Sequence, residues 1–476
     1  MKTRKKFIGD NKPLQQIALV TLVLSCIFSN LFYFLNFPVF GFIMDFRRIC
    51  LLIVAVYCCI LWIVRLHKKS AGAHLKKAHL RMFAFLFFVF LALCGVVWIL
   101  AGRRDRVAIS EAAYLIMLAG YAFCFFTLIQ DASDVEICCK TVALSALILA
   151  VLGTVEVVTG PYLPADEAIQ DGVEAEKKLR LYAPTTVFTN TNDLCAILFL
   201  SLSVMLDRIL CADSIKKVLL RCTAVIVIFI PITFTSSTIF KIGFTVVLAM
   251  FILLVLLRKE TKQGKLRGIG VTVGTEAMSL YATRLWGPLV YTIKMVSCGV
   301  KPGQSTFDPG IVGIDSLADQ VNAFTQGGGT IYIRAYLAYA GVLFFLDRPL
   351  LGYGPHGFQI LMQQANNSYL RSKTGGIVDP HNFLIELLVQ YGLVFFVPFI
   401  VLCAVVLVRA FRLVRKGETL PKRRTASLTV LLMATCAFVS IMPSSLIRLS
   451  PVWVFFLLSI ANIEIIENES NNLMGQ

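Results

Sequence analysis

Apolar runs about as long as a membrane is thick recur along the whole chain, and nothing else in the sequence restricts the fold so strongly. A helix needs about 20 apolar residues to cross the hydrocarbon core, where only a helix or a closed barrel satisfies its own backbone polar groups. Such runs predict spans at 15–35, 49–66, 82–101, 107–129, 141–158, 192–210, 222–236, 238–257, 270–298, 383–408, 425–443 and 451–467. Composition agrees: of 476 residues, 57% are apolar and 15% charged, which excludes a disordered chain and an ordinary water-soluble globule. The expected fold is all-α, a single integral membrane domain over 1–476 with about twelve transmembrane helices. The first run is too long, and too closely followed by others, to be a cleaved signal peptide.

Basic residues outnumber acidic ones, 45 − 28 = +17. In a soluble domain that excess would raise the question of nucleic acid. Here the basic residues cluster between apolar runs, so they set topology and no nucleic-acid partner is expected. With the N-terminus cytoplasmic, one face collects Lys2, Arg4, Lys5, Lys6 and Lys12, then the 65–81 connection, Lys216, Lys217 and Arg221, the 258–267 connection, and the 409–424 connection. Both termini are then cytoplasmic, in the cell membrane. Arg47-Arg48 and the group Arg103, Arg104, Arg106 dissent. The ninth span is interrupted by Glu276, Arg284 and Lys294, but without it the basic 409–424 connection would fall outside. The fourteen cysteines sit mostly in apolar runs and show no metal-ligand spacing, so they read as small apolar filler.

This topology leaves two long polar segments on the outer face, 159–191 and 299–382, the larger just before the tenth span. Loops longer than about 15 residues in a compact protein are usually functional. The larger holds an expected helix, 331–346, which contains Arg334 and is too short and interrupted to span, so it is expected along the membrane surface. In Asp379-Pro380-His381-Asn382-Phe383 the sequence reads as a helix start, with Asp379 as cap, Pro380 at the first helical position and His381 in the first turn. Asn382, Glu386 and Gln390 follow at i, i+4 and i+8, one polar face on an apolar helix. Such a face must look into protein or a wet cleft. The plainer alternative is that Asn382 and Gln390 bond neighbouring helices and His381 is an ordinary surface residue.

A second outer helix start is Asn190-Thr191-Asn192-Asp193, with Asn192 as cap and Arg180 ten residues before Asn190. Helix N-termini favour anions, and Arg180, Arg334, Arg371 and Lys373 share that face. Forked contacts from arginine suit a phosphate or diphosphate, although Arg371 and Lys373 fit lipid headgroups equally well. The string Gly352-Tyr353-Gly354-Pro355-His356-Gly357 spells G-x-G-x-x-G with no preceding strand, so it reads as a Gly/Pro turn. His67, His74 and His79 match no ligand spacing.

The stretches RLYAPTTVFTNTNDLCA at 180–196, Arg334 to Phe358 with DRPLLGYGPHGF, DPHNFLIELLVQYGL at 379–393, and a closing helix pair resemble the O-antigen ligase and polymerase family. These are bacterial membrane glycosyltransferases that handle lipid-linked glycans outside the cytoplasmic membrane. The resemblance departs at Asn190-Thr191-Asn192, where the family commonly has Asn-Pro-Asn, and at Thr235-Ser236-Ser237-Thr238, where it has Ser-Arg. It implies an isoprenoid-diphosphate-linked glycan donor bound by Arg180 and Arg334 near the helix ends with Asn190 and Asn192. It also implies a glycan, lipid or wall acceptor activated by His381 as general base, with Asn382 and Glu386 in substrate binding. Neither cofactor nor metal is then expected, since arginine and backbone N–H donors stabilise the leaving diphosphate. The rival class is a transporter or flippase, which paired broken helices and an inverted repeat would favour; the sequence shows neither.

Overall fold

The structure is a computed structural model. It describes residues 11–28, 37–39, 42–67, 79–102, 105–159, 184–188, 190–210, 212, 214–234, 238–258, scattered positions between 262 and 289, 329–364, 373–374, 376–417, 419–441 and 445–474. The helices are α1 (Lys12–Ile27), α2 (Phe46–His67), α3 (His79–Leu100), α4 (Arg106–Leu128), α5 (Ala132–Thr159), α6 (Thr191–Leu210), α7 (Ile215–Phe234) and α8 (Thr238–Leu257). They continue with α9 (Gly329–Asp347), α10 (Gly357–Gln364), α11 (Phe383–Lys416), α12 (Leu420–Val439) and α13 (Ser450–Met474).

Six helices among the described residues are long and apolar enough to cross a membrane: α2 to α5, α11, and the Ser450–Asn468 part of α13. The chain is thus a membrane protein built of helices, while the count of about twelve spans is not reproduced by this measure. Residues 270–298, the expected ninth span, lie mostly outside the described residues; 268–275 are helical. Two departures have local causes. A small antiparallel hairpin pairs Phe37–Val39 with Phe42–Met44 beside the helices of an otherwise all-helical fold; strands of three residues leave no trace in hydropathy. Helix α5 starts nine residues before the expected 141, because the Asp131 side chain accepts from the Ser133 N–H at 2.9 Å and caps a polar first turn.

Polar contacts sort the helix ends onto two faces. On one, Lys12 reaches Asp131 at 2.9 Å and Asp134 at 2.6 Å, joining the start of α1 to the α4–α5 turn. On the same face Arg81 Nε meets Glu464 at 2.9 Å, Arg258 Nε donates to Ser427 at 2.8 Å, and Arg409 pairs with Glu467 at 3.1 Å. These pairs hold the start of α3 to the end of α13, and the end of α8 to the start of α12. The starts of α4, α11 and α13 meet on the opposite face. Helix α13 runs through the centre and is almost wholly buried, whereas α2 and α3 expose Leu52, Ile53, Phe90 and Val97 as a lipid-facing surface would. Aromatic rings pack α3, α11 and α13 together: Phe88 on Trp453 (5.6 Å), Phe383 on Trp453 (5.4 Å) and Phe399 on Phe456 (5.6 Å).

Helix α11 is interrupted at Gly392, whose φ of 65° and ψ of −168° are outside the helical region. A break in an apolar helix frees N–H and C=O groups that lipid cannot satisfy. The segment 349–354 fills it. Tyr353 N–H donates to Val389 O (2.9 Å) and Gly354 N–H to Gln390 O (2.7 Å), while Leu393 N–H donates to Pro349 O (2.9 Å) and Val394 N–H to Leu350 O (3.3 Å). The approach is so close that a Cβ on Gly392 would overlap the Leu350 backbone, and one on Gly352 the Val389 and Gln390 backbone. Replacing Gly392 by Ala should therefore lower the thermal midpoint of the purified protein by the equivalent of about 2 kcal/mol or more, from the left-handed φ plus the overlap. An unchanged midpoint would mean that the break relaxes without this loop.

Candidate functional site

The face opposite the basic helix ends gathers the sequence's polar candidates around the start of α11. Asn382, not Asp379, caps this helix: its side chain accepts from Leu384 N–H (3.0 Å) and Ile385 N–H (3.3 Å), and the first helical residue is Phe383. The expected Asp379 cap, with Pro380 helical and His381 in the first turn, is thereby corrected. His381 sits just before the cap with φ of 45°. The Asn382 side chain reaches two N–H groups that the helix leaves free, and this outweighs the favourable N1 geometry of Pro380. The Phe383 N–H is taken by Ser440 O at 2.7 Å.

The neighbouring carbonyl, Ile441 O, accepts from Arg334 Nη1. Two consecutive residues at the end of α12 thus join the α11 start to α9, and they bring Arg334 and the His381-Asn382-Phe383 segment together. Burial pushes the Arg334 guanidinium down to about 10, so it stays charged at neutral pH while partly deprived of water. Helix α9 packs on α11, with Gly341 against Ile385. Arg180 and Arg371 lie outside the described residues; Lys373 stands over the Tyr332 ring of α9 at 5.9 Å.

The polar face of α11 points inward as expected. Glu386 and Gln390 are fully buried, and Asn382 is half-buried. Glu386 Oε1 accepts from Ser445 Oγ at 2.7 Å, and its Oε2 has no hydrogen-bond partner among the described residues. Gln390 Nε2 donates to Gln359 (3.3 Å), and Gln359 Nε2 donates to Asp379 (3.3 Å). This chain ties α11 and α10 to the segment carrying His381.

At the other helix start, Asn190 takes the capping place expected of Asn192. Its Oδ1 accepts from Asn192 N–H at 2.7 Å, and α6 begins at Thr191. The preceding residues are anchored by Glu156 of α5, a fully buried carboxylate that accepts from Thr185 N–H (2.8 Å) and Thr186 N–H (2.6 Å). Among the described residues no hydrogen bond joins Asn190 or Asn192 to the α11 start.

Two residues of the cluster, Glu111 and Arg448, are not singled out by the sequence. Glu111 of α4 is fully buried and uses both oxygens: Tyr391 Oη donates to one at 3.0 Å and His356 N–H to the other at 3.0 Å. Arg448, in the turn before α13, brings its Nη2 to His356 Nδ1 at 3.4 Å. The available signal for Glu111 was an acidic residue inside a predicted span, which is costly and so implies a partner. Arg47, a dissenter from the charge pattern, is buried against Ser450 (2.9 Å), Asp45 (3.1 Å) and Tyr114 (3.3 Å), so it is a protein-paired arginine and not a topological one.

Replacing Glu111 by Ala leaves the Tyr391 hydroxyl and the His356 N–H short of a buried acceptor, at roughly 1–3 kcal/mol per unsatisfied group. Glu111→Ala should therefore destabilise the purified protein clearly more than Glu111→Gln, which keeps an acceptor. Equal thermal midpoints for the two would show that the carboxylate does not organise this cluster.

No curated protein matches the chain. Residues 222–400 do match the family described as O-antigen ligase, a stretch that holds Arg334, the 352–357 turn, His381, Asn382 and Glu386. This match covers less than half of the chain and supports glycan transfer of the O-antigen ligase type in general.

Proposed function

We propose that the protein transfers or polymerises glycan from an isoprenoid-diphosphate-linked donor onto an acceptor hydroxyl at the outer face of the cytoplasmic membrane. The observation that carries this reading is the meeting of Arg334 and the His381 segment on the adjacent carbonyls of Ile441 and Ser440. A cation suited to phosphate and a base suited to a hydroxyl thus lie on one face. The face opposite collects Lys12, Arg81, Arg258 and Arg409, which by the positive-inside tendency makes it cytoplasmic, together with both ends of the chain.

In this mechanism His381 takes the proton of the acceptor hydroxyl as the oxygen attacks the anomeric carbon. The bond from that carbon to the diphosphate oxygen breaks, the diphosphate leaves with the electron pair, and in-line displacement inverts the configuration. Arg334 steadies the leaving charge, and its partly dehydrated guanidinium interacts more strongly with an anion than a fully hydrated one. The helix N-terminus beyond Asn382 disfavours imidazolium at His381, which keeps the ring able to accept a proton. Glu386 Oε2, without a partner among the described residues, offers an acceptor for a glycan hydroxyl. Asn190, Asn192 and Arg180 complete the donor site on this reading, and no metal takes part.

The transporter reading gains one feature, the break in α11 at Gly392. Its freed backbone groups are bonded to residues 349–354, however, so they are not available to coordinate an ion.

His381→Ala should retain the wild-type thermal midpoint and lose transfer by about 100-fold or more, the size of a general-base contribution. Arg334→Lys should weaken use of donor despite keeping the charge, because lysine cannot make a forked contact. Both are read with lipid-linked glycan and acceptor in the presence of chelator. Wild-type rates in a folded His381→Ala protein would remove the base assignment, and normal rates in Arg334→Lys would move the diphosphate elsewhere.

A further inference from the structure

We propose that the start of α11 lies about half-way down the membrane, at the floor of a water-filled recess, and that the diphosphate of the lipid-linked donor is drawn into it below the headgroup plane. The recess follows from the path of the chain alone; its occupant rests on the glycan-transfer reading.

The path can be measured from the basic helix ends by the rise of a helix, about 1.5 Å per residue. Arg81 donates to Ile129 O at 2.6 Å and to Ala461 O at 3.1 Å, so the start of α3, the end of α4 and that part of α13 share one level. Asn462 donates to Thr429 at 2.9 Å and brings α12 to the same level. From there α12 climbs about 16 Å to Ser440, and α13 about 12 Å to Trp453. Phe383 N–H is bonded to Ser440 O at 2.7 Å, and the Phe383 ring is 5.4 Å from the Trp453 ring. The start of α11 thus stands about 15 Å above the basic level, whereas Glu111, reached by climbing α4 from Ile129, stands about 27 Å above it.

The opening helix of α11 therefore rises away from the basic ends. Tyr391, eight residues after Phe383, donates to Glu111 at the upper level, as a climb of about 12 Å requires. At Gly392 the chain turns back: the Phe383 and Phe399 rings are 5.4 Å apart, where a continuous helix would hold them about 24 Å apart. The segment before the helix descends beside it, since Gln359 is bonded to both Asp379 and Gln390. Arg334, bonded to Ile441 next to Ser440, reaches the same depth. In a hydrocarbon layer of about 30 Å this is the middle.

Non-helical backbone at that depth persists only inside protein or against water. Asp379, His381 and Asn382 are half-buried, and polar groups turned to lipid there would be costly, so water covers them. By contrast Leu93, about 18 Å up α3, is exposed beside Phe90 and Val97, as a lipid contact would be.

The test introduces His381→Cys, Asp379→Cys, Leu93→Cys and Arg106→Cys singly into the full chain in lipid nanodiscs, read above the wild-type background. Each protein is checked for thermal midpoint, treated with a charged methanethiosulfonate, and separately labelled with biotin on arms of increasing length for capture by streptavidin. His381→Cys and Asp379→Cys should react with the charged reagent, and Leu93→Cys should not. Streptavidin should capture Arg106→Cys on the shortest arm and His381→Cys only on one about 10 to 20 Å longer. Farnesyl diphosphate at about ten times its Kd should slow the His381→Cys reaction about tenfold. If His381→Cys does not fold, Asp379→Cys decides by the same readings.

No reaction at either position, or capture on the arm that serves Arg106→Cys, would overturn the recess. A probe that binds nowhere or leaves the reaction rate unchanged would overturn the placement of the diphosphate, even where the wild type transfers glycan. Protection by the probe in a protein whose wild type transfers no glycan would leave the placement standing and remove the transfer reading.

Discussion

Four backbone hydrogen bonds between residues 349–354 and the opened turn of α11 are the constraint on which the rest of this face depends. A helix broken in an apolar environment must have its freed groups met by protein, and only a backbone that can approach very closely will do it. Gly352 and Gly392 permit that approach. Once the segment is seated, its consequences propagate: Tyr391, just before the break, is aimed at Glu111, and the following turn delivers the His356 N–H to the same carboxylate. Gln359 then reaches Asp379, so the position of the His381 segment follows from where the helix was broken.

The second determinant is the turn between α12 and α13. Ser440, Ile441, Ser445, Arg448 and Ser450 contact α11, α9, α11 again, the His356 turn and Arg47 respectively. That turn lies beyond the region matching the O-antigen ligase family, yet it holds together the residues inside it. The aromatic cluster of Phe88, Phe383, Phe399, Trp453 and Phe456 packs directly beneath. Each such ring pair contributes on the order of 1 kcal/mol beyond its buried area. Buried charge and strained backbone are thus carried on a well-packed base, which is the arrangement a preorganised site needs.

What the sequence discloses and what it hides follow physical lines. Hydropathy located the helices, because burying about 20 apolar residues dominates everything local; it misplaced the start of α5, where a cap and not hydrophobicity sets the boundary. The Asn382, Glu386, Gln390 stripe was legible because helical period is fixed, and its burial followed from the cost of exposing Glu386 to lipid. The cap itself was assigned to Asp379 because Asp-Pro is a strong local signal, and only the three-dimensional reach of Asn382 decides otherwise. The partners of Arg448 and Glu111 are hidden for a different reason. Their partners come from positions over 90 and over 240 residues away, and no local pattern encodes such pairings.

The proposed function turns on whether the face bearing the α11 start carries chemistry or only binding. A glycosyltransferase draws its driving force from cleavage of the sugar–diphosphate bond and needs no second compartment, whereas a transporter has nothing to do without one. Purified protein in detergent, given lipid-linked glycan and acceptor with chelator present, should form extended or transferred glycan and release isoprenoid diphosphate in equal amount. Folded protein that yields no product under those conditions, yet moves intact lipid-linked glycan between the leaflets of reconstituted vesicles, would contradict it.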